Sequence, residues 1–408
     1  MNIFVPADIL IPKTGLEKWA AVACDQYTSE PEYWAEADRF VGSSPSALRM
    51  ILPETYLEDD FEARITAINK TMEEYLAGDI FNEYKNRFIY LERRLKNGKV
   101  RKGVLGAVDL EYYGFDPSEK TPVRASEGTI LDRIPPRVKI RRNAPLESSH
   151  IMILADDREE PLTGSLDKGT FQKIYGFDLM ADSGRADGWL VDEKTAAGIQ
   201  KKLVAYGDIG FFNKKYGVNE TAPLVLAVGD GNHSLATAKT IYEQNKSAMG
   251  AAALEHPSRF ALAELVSIYD ESLEFEPIYR VIFDIDKEEL FSALEKEFSG
   301  IKTVTDQSFI TISDGEERRF FVKNPTSNLT VGTLDRCLEN FGGRVDYIHG
   351  EETLKKLSVG RNVGFLFGAI DKSEFFPTII KDGSLPKKSF SMGHAADKRF
   401  YIELRKIK

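Results

Sequence analysis

The sequence has little of what several classes of protein require. Its two cysteines, Cys24 and Cys337, are too few for a disulfide framework or a cysteine-based zinc site, which fits a reducing cytoplasm. No apolar run approaches the roughly 18 residues of a membrane helix, and the first residues lack the basic and apolar segments of a signal peptide. We therefore predict a cytoplasmic protein that binds no membrane.

An excess of positive charge is also missing. The formal net charge is −10, which argues against broad electrostatic binding to nucleic acid. A net charge of −10 is nevertheless compatible with a small basic pocket for a phosphorylated ligand. The composition, 42% apolar and 29% charged, is ordinary for a globular protein.

Strand-like and helix-like segments alternate along the chain, and hairpin signals occur between some of them. This pattern predicts an α+β fold with a mixed, partly antiparallel sheet flanked by helices. The length of 408 residues suits two or three domains of about 100–200 residues. We place a main domain at residues 1–270 and a smaller α+β domain, packed on it, at residues 271–408.

Four segments carry definite local predictions. Apolar residues at helical spacing predict one helix over residues 59–76 and another over residues 193–215. Asn97-Gly98 predicts the turn of a hairpin whose strands span residues 88–95 and 100–110. Residues 156–187 are polar, and we expect an irregular segment there with a short helix around residues 168–174.

The most informative stretch is residues 224–239, which predict a buried strand, a tight turn and the start of a helix. Gly229 and Gly231 allow a sharp bend. A helix start presents free amide groups and partial positive charge, and so suits a phosphate. The stretch matches neither the phosphate-loop motif nor the dinucleotide glycine fingerprint. A well-capped turn without a ligand is the alternative interpretation.

Several motifs in one order resemble a family of prokaryotic proteins catalogued as domain of unknown function 1015. The resemblance covers nearly the whole chain. The matching segments are Asp230-Gly231-Asn232-His233-Ser234 for an Asp-Gly-His-His-Arg turn, Ser118-Glu119-Lys120-Thr121 with Arg124 and Arg133 for a His-Glu-x-Thr segment and its basic residues, and Pro386, Lys388 and Ser389 for a proline-lysine-serine segment.

This chain departs from the family pattern at three positions. Asn232 replaces the first histidine of the turn, Ser234 replaces its arginine, and Ser118 replaces the histidine before Glu119. The missing arginine removes one group from any phosphate clamp that depended on it. Asp230, His233 and Glu119 are retained.

The Asp-Gly-x-His turn also resembles the phosphate-binding helix start of the sulfiredoxin and partition-protein superfamily. That superfamily includes kinases of free serine. The resemblance implies a phosphotransferase that binds ATP or ADP with Mg²⁺ and acts on a small polar metabolite, with free serine as the first candidate.

Phosphoryl transfer needs donors for the phosphates and a carboxylate near the attacking hydroxyl. The implied catalytic residues are Asp230, His233 and Glu119, and the two carboxylates are also the implied metal ligands. A further set would hold phosphate through amides, hydroxyls or positive charge. It comprises Gly229, Gly231, Asn232, Ser234, Arg124, Arg133, Arg141 and Lys388.

Structural interpretations compete with these roles. Glu119 and Lys388 have the sequence surroundings of exposed surface charges, and Cys24 that of a small buried residue. His150, His256, His349 and His394 lack metal-ligand spacing and are given structural roles. Two other functions stay open: a regulatory protein that binds a phosphometabolite or nucleotide, and a metal-dependent phosphoesterase.

Overall fold

The structure is a computed structural model that describes residues 2–129, 134–159, 161–164, 166–302 and 306–408. The chain divides into two compact units, residues 1–273 with 394–408, and residues 274–393. The last fifteen residues, placed with the second domain by the sequence, belong to the first unit. Their strands pair with strands of that unit.

The first unit contains long helices between many short strands. Its elements up to residue 267 are β1 (Phe4–Val5), β2 (Ala7–Pro12), α1 (Leu16–Trp19), β3 (Ala21–Val22), α2 (Pro31–Val41), α3 (Phe61–Ala77), β4 (Phe81–Arg87), β5 (Ile89–Arg94), β6 (Val100–Asp109), β7 (Tyr113–Gly114), β8 (Val123–Arg124), α4 (Ile134–Arg142), β9 (Leu146–Ser148), β10 (Met152–Ala155), β11 (Gln172–Asp178), β12 (Arg185–Leu190), α5 (Glu193–Tyr206), α6 (Ile209–Tyr216), β13 (Leu226–Asp230), α7 (Asn232–Met249) and β14 (Phe260–Ser267).

The second unit is a smaller α+β arrangement around one sheet. Its elements are β15 (Phe275–Phe283), α8 (Lys287–Glu297), β16 (Phe298–Ser299), β17 (Ser308–Ser313), β18 (Glu316–Val322), α9 (Thr330–Leu338), β19 (Arg344–His349), α10 (Glu351–Leu357), β20 (Val363–Leu366), α11 (Phe375–Asp382) and β21 (Phe390–Met392). The strand order is β16-β18-β17-β20-β15-β19, and β21 also pairs with β15. The chain then returns to the first unit as β22 (Phe400–Tyr401) and β23 (Leu404–Lys406).

The main sheet of the first unit is mixed, with strand order β11-β12-β5-β6-β14-β10-β13-β8-β7. β13 is parallel to β8 and antiparallel to β10, while β10 is parallel to β14. A second sheet has the order β4-β2-β23-β9, and β22 pairs with β3. The predicted α+β fold with a mixed, partly antiparallel sheet is confirmed.

Both faces of the main sheet are covered. Along β6, Leu105 and Ala107 pack into one hydrophobic core, whereas Val104 and Val108 pack into another. Side chains of a strand alternate between faces, so this division places one core on each side of the sheet. Among the described residues, no helix is both long and apolar enough to cross a membrane.

The local predictions have mixed outcomes. The helix predicted over residues 59–76 is α3, and the hairpin at Asn97-Gly98 joins β5 and β6, so both are confirmed. The single helix predicted over residues 193–215 is wrong. Two helices occupy this range instead. The first, α5, is capped at its carboxyl end by Gly207, and the Asp208 side chain accepts a hydrogen bond from the Phe211 amide and so starts α6.

The irregular segment predicted over residues 156–187 is also wrong in part. Residues 172–178 form β11, which pairs with β12. Tyr175 and Phe177 are the buried residues of its two-residue alternation, and only the exposed Gly176 separates them, so the alternation is short.

Candidate functional site

The carboxyl end of β13 turns directly into α7. Asp230 is the last residue of the strand, and Gly231 precedes the helix with φ +83°. A Cβ on Gly231 would lie 3.1 Å from the backbone Cα of Ile151. The positive φ and this close approach together account for glycine at the position.

The amino end of α7 has the properties of an anion site. Its first turn, Asn232 to Leu235, contains no carboxylate, and the free amides there carry partial positive charge. Asn232 Oδ1 accepts a hydrogen bond of 3.1 Å from the Ser126 amide, and its Nδ2 donates to Ser126 Oγ at 3.3 Å. Asn232 therefore fastens the turn to the segment that follows β8.

A lysine from the C-terminal segment faces the end of β13. Lys398 Nζ lies 3.2 Å from Asp230 Oδ2, with both side chains less than one-fifth exposed. The pairing of β22 with β3 places Lys398 there, because Arg399 O accepts a hydrogen bond from the Ala23 amide at the end of β3. The pair adds one cation and one carboxylate beside the first turn of α7.

A second carboxylate follows β3. Burial alone would raise the pKa of Asp25, but electrostatic interactions with His150 and Lys398 and a hydrogen bond from Gln26 Nε2 hold that pKa below its usual value. The carboxylate is therefore ionised at neutral pH. These interactions place Asp25 near His150 and Lys398.

His150 lies at the centre of a chain of polar contacts. The residue precedes β10, whose Met152 pairs with Asp230 of the antiparallel β13. His150 Nε2 is 3.4 Å from Ser234 Oγ, in the first turn of α7, and Nδ1 is 2.8 Å from the Tyr401 hydroxyl. The imidazole is 6% exposed, so these contacts decide which nitrogen carries the proton.

The Tyr401 hydroxyl connects His150 to Cys24. It lies 3.1 Å from Cys24 Sγ and 2.8 Å from His150 Nδ1. The single phenol proton can go to the thiol sulfur or to Nδ1, and the neutral thiol can itself donate to the phenol oxygen. In the tautomer with its proton on Nδ1, Nε2 carries the lone pair that faces Ser234.

Cys24 and Tyr401 stay neutral at physiological pH. Burial, together with the Asp25 carboxylate, raises the pKa of the Cys24 thiol to about 11. Burial also raises the pKa of the Tyr401 hydroxyl well above its usual value. The pair supports His150 and supplies no thiolate nucleophile at neutral pH. Cys24 is half-buried, less than the buried role expected for it.

The other acidic residue predicted for the site lies elsewhere in the first unit. Glu119 is exposed on the loop before β8, against Gly114, and its charge contributes to a raised pKa of Tyr113. β8 is parallel to β13, so a residue before β8 lies toward the amino ends of these strands. Asp230 lies at the carboxyl end.

Two predicted arginines have internal surroundings. Arg124 is buried in β8, donates from Nε to the Thr121 carbonyl at 3.0 Å, and has its pKa lowered by burial. Arg141 Nη2 lies 2.5 Å from Glu147 Oε2, and Arg405 Nε lies 2.8 Å from Glu147 Oε1.

The remaining predicted residues are distributed over the chain. Gly229 belongs to β13, and His233 follows Asn232 in α7 with its carbonyl accepting from Thr237 Oγ1 at 2.7 Å. Lys388 belongs to the second unit, where its Nζ lies 5.0 Å from the ring centroid of Tyr347. Arg133 lies outside the described residues.

The metal prediction rests on few ligands. Among the described residues, no group of three or more histidine, cysteine, aspartate or glutamate side chains is arranged to hold a metal ion. Magnesium in phosphotransferases is often held by one or two carboxylates and the phosphates of the substrate. Asp230 is the carboxylate that stands beside the helix start.

Sequence reasoning missed Asp25, His150, Lys398 and Tyr401 as members of the cluster. None lies in a motif around residue 230, and the pairing of β22 with β3 and of β10 with β13 brings them together. The one local signal was Asp25, which follows the short buried strand β3 by three residues.

The first unit thus has an α+β fold in which the start of α7 is bordered by Asp25, His150, Asp230 and Lys398. The profile of one family, Protein of unknown function (DUF1015), matches residues 7–338. The chain belongs to this family, as its motifs predicted. No curated protein matches it.

Solved structures with distant similarity include a free serine kinase in complex with AMP, with 10% identity over 72% of this chain and 89% of the other, at a TM-score of 0.36. SbnI with a C-terminal truncation from Staphylococcus aureus has 8% identity over 71% and 82%, at 0.36. A conserved hypothetical protein from Pyrococcus furiosus has 10% identity over 72% and 92%, at 0.33. Likeness at this level carries no argument about ligand or activity.

Proposed function

We propose that the protein is a nucleotide-dependent phosphotransferase that phosphorylates a hydroxyl group of a small metabolite, with free serine as the first acceptor to test. The observation that carries the proposal is the position of His150. Its Nε2 lies 3.4 Å from Ser234 Oγ in the first turn of α7, where a phosphate would bind, and the Asp25 carboxylate lies nearby. We assign the imidazole proton to Nδ1, so that Nε2 is free to accept a proton. A base beside an anion site is the arrangement that phosphoryl transfer to a hydroxyl requires.

The donor side of the site is the amino end of α7 with Lys398. Amides of the first turn and the lysine ammonium would contact the terminal phosphate of ATP or ADP. Lys398 now pairs with Asp230 at 3.2 Å, so an incoming phosphate would compete for the lysine. Magnesium would neutralise phosphate charge when bound, and Asp230 is the residue placed to hold it.

The acceptor side is His150 with the groups behind it. The acceptor oxygen attacks the terminal phosphorus, and its proton passes to Nε2 of His150. A new oxygen–phosphorus bond forms while the bridging bond breaks, and that bond's electron pair leaves with the nucleotide. Asp25 stabilises the imidazolium that results, and Tyr401 fixes the ring through Nδ1.

The test is phosphorus NMR of the full chain with Mg²⁺, ATP or ADP, and a panel of hydroxyl compounds that begins with serine. We expect a nucleotide-dependent phosphorylated product, and a loss of roughly 10²–10⁴-fold in its rate in His150→Gln. His349→Gln, which changes an exposed histidine of the second unit, is the matched control.

Three results would contradict the proposal. Release of inorganic phosphate without any acceptor would indicate a phosphoesterase. Nucleotide binding without turnover on any acceptor would indicate a regulatory binding protein. Equal loss of rate in the His150 and His349 variants would remove His150 from the mechanism.

A further inference from the structure

A cavity of about 150 Å³ lies within the first unit on the other side of His150. His150, Ser234 and Tyr401 belong to its lining, so the cavity adjoins the polar cluster directly. Most of the remaining wall is aliphatic. Its larger apolar side chains are Met50, Ile51, Leu52, Met72, Ile140 and Leu146.

The charged groups of the lining are already paired. Arg137 forms an ion pair with Glu54, and Arg141 forms one with Glu147 at 2.5 Å. Taking Arg137 for a ligand would leave Glu54 without this partner, which is costly. Taking Arg141 would leave the buried Glu147 with Arg405 alone. The cavity therefore does not offer these charges to an anion.

Two hydroxyl groups of the lining are similarly engaged. Ser148 Oγ donates to the Glu403 carbonyl at 2.9 Å, and Thr237 Oγ1 donates to a carbonyl of its own helix at 2.7 Å. A polar ligand group placed deep in the cavity would have to displace these bonds. By contrast, Nε2 of His150 faces only a hydroxyl, at 3.4 Å.

The lining of the cavity favours an apolar occupant. The space of about 150 Å³ accommodates about six carbon-sized atoms, and the cavity also opens toward solvent. An aliphatic body gains from contact with the apolar wall, whereas the zwitterionic groups of free serine would lose hydration against that wall.

We infer that the cavity binds the acceptor, and that this acceptor is a compact aliphatic alcohol whose hydroxyl points to His150 and whose apolar body fills the space beyond. The inference rests on the proposed function for the role of that hydroxyl. It replaces free serine by an amphipathic alcohol as the expected substrate class.

The experiment is a ligand-observed NMR titration of the full chain without nucleotide. The probes are ethanol, 1-propanol, 1-butanol and 3-methylbutan-1-ol, with free serine and adenosine as comparators. Affinity should rise roughly fourfold for each methylene added, as burial of a methylene predicts. Serine should bind more weakly than 3-methylbutan-1-ol, and adenosine should not displace that alcohol.

A cavity-filling variant locates the binding. Ala144 is a buried residue of the lining, and Ala144→Leu should weaken 3-methylbutan-1-ol binding at least tenfold. Ala251→Leu makes the same change at an exposed position and should have no effect. If Ala144→Leu does not fold, as judged by circular dichroism, the alcohol series in the unaltered chain still decides the question.

The inference is overturned if affinity does not grow along the alcohol series, if serine binds more tightly, if adenosine displaces the alcohol, or if a folded Ala144→Leu binds the alcohol normally. These outcomes leave the proposed function untouched, since no nucleotide is present. Conversely, alcohol binding with no phosphate transfer would preserve the cavity assignment and remove the proposed function.

Discussion

Replacing Gly231 by alanine tests the turn on which the anion site is built. The left-handed conformation at φ +83° costs a residue with a Cβ about 1–2 kcal/mol. The new Cβ would also meet Ile151 Cα at 3.1 Å, a backbone atom that cannot rotate away. Crowding of this kind costs a further ~1–3 kcal/mol. Gly231→Ala should therefore lower the free energy of unfolding by about 2–5 kcal/mol.

A matched glycine separates the two contributions. Gly217 ends α6 with φ +63° and ψ +36°, also left-handed, and a Cβ there would meet nothing within 4 Å. Gly217→Ala should cost only the conformational part, about 1–2 kcal/mol. Urea denaturation of both variants gives the comparison. Equal losses of stability would refute the close approach of the turn to Ile151, and with it the position of His150 beside the helix.

Three further predictions concern charge and burial. Lys398→Met should weaken binding of ADP roughly 10–100-fold in isothermal titration, because a charge-assisted contact to phosphate is lost; unchanged affinity would exclude Lys398 from the site. Cys24, whose thiol has its pKa raised to about 11, should resist iodoacetamide at pH 7.5 in the folded chain, and rapid alkylation seen by peptide mass would contradict that burial. Glu147→Gln should destabilise by about 3–5 kcal/mol at pH 7, because it leaves Arg141 and Arg405 without their carboxylate. Burial opposes ionisation of Glu147, but the two arginines keep its pKa below the usual value in the folded state. The carboxylate therefore contributes fully to folding stability above about pH 4.3, and this contribution is lost as the pH falls further. In urea denaturation, the difference in stability between the variant and the unaltered chain should accordingly shrink as the pH is lowered below about 4.3, and a difference that does not change with pH would refute this assignment.

Local sequence patterns predicted those parts of the fold that local forces determine. The helical spacing of α3 and the turn residues Asn97-Gly98 each act over a few residues, and both predictions are confirmed. The break at Gly207-Asp208 was missed because the apolar spacing continues across it. Its signal, an aspartate that starts a new helix, was nevertheless present in the sequence.

The candidate site could be predicted only in part for a related reason. Asp230 and Gly231 identify their turn by residue type alone. His150, Asp25 and Lys398 lie 80 to 205 residues away along the chain and reach the turn through strand pairing. No spacing rule connects them, since the contacts depend on which strands become neighbours.

A crystal structure of the full chain with ADP and Mg²⁺ tests the central claim most directly. We predict the terminal phosphate at the amides of the first turn of α7, with Lys398 Nζ in contact and His150 Nε2 facing the open side of the phosphorus. A nucleotide bound in the second unit, or one in the first unit whose phosphates avoid the start of α7, would contradict the account.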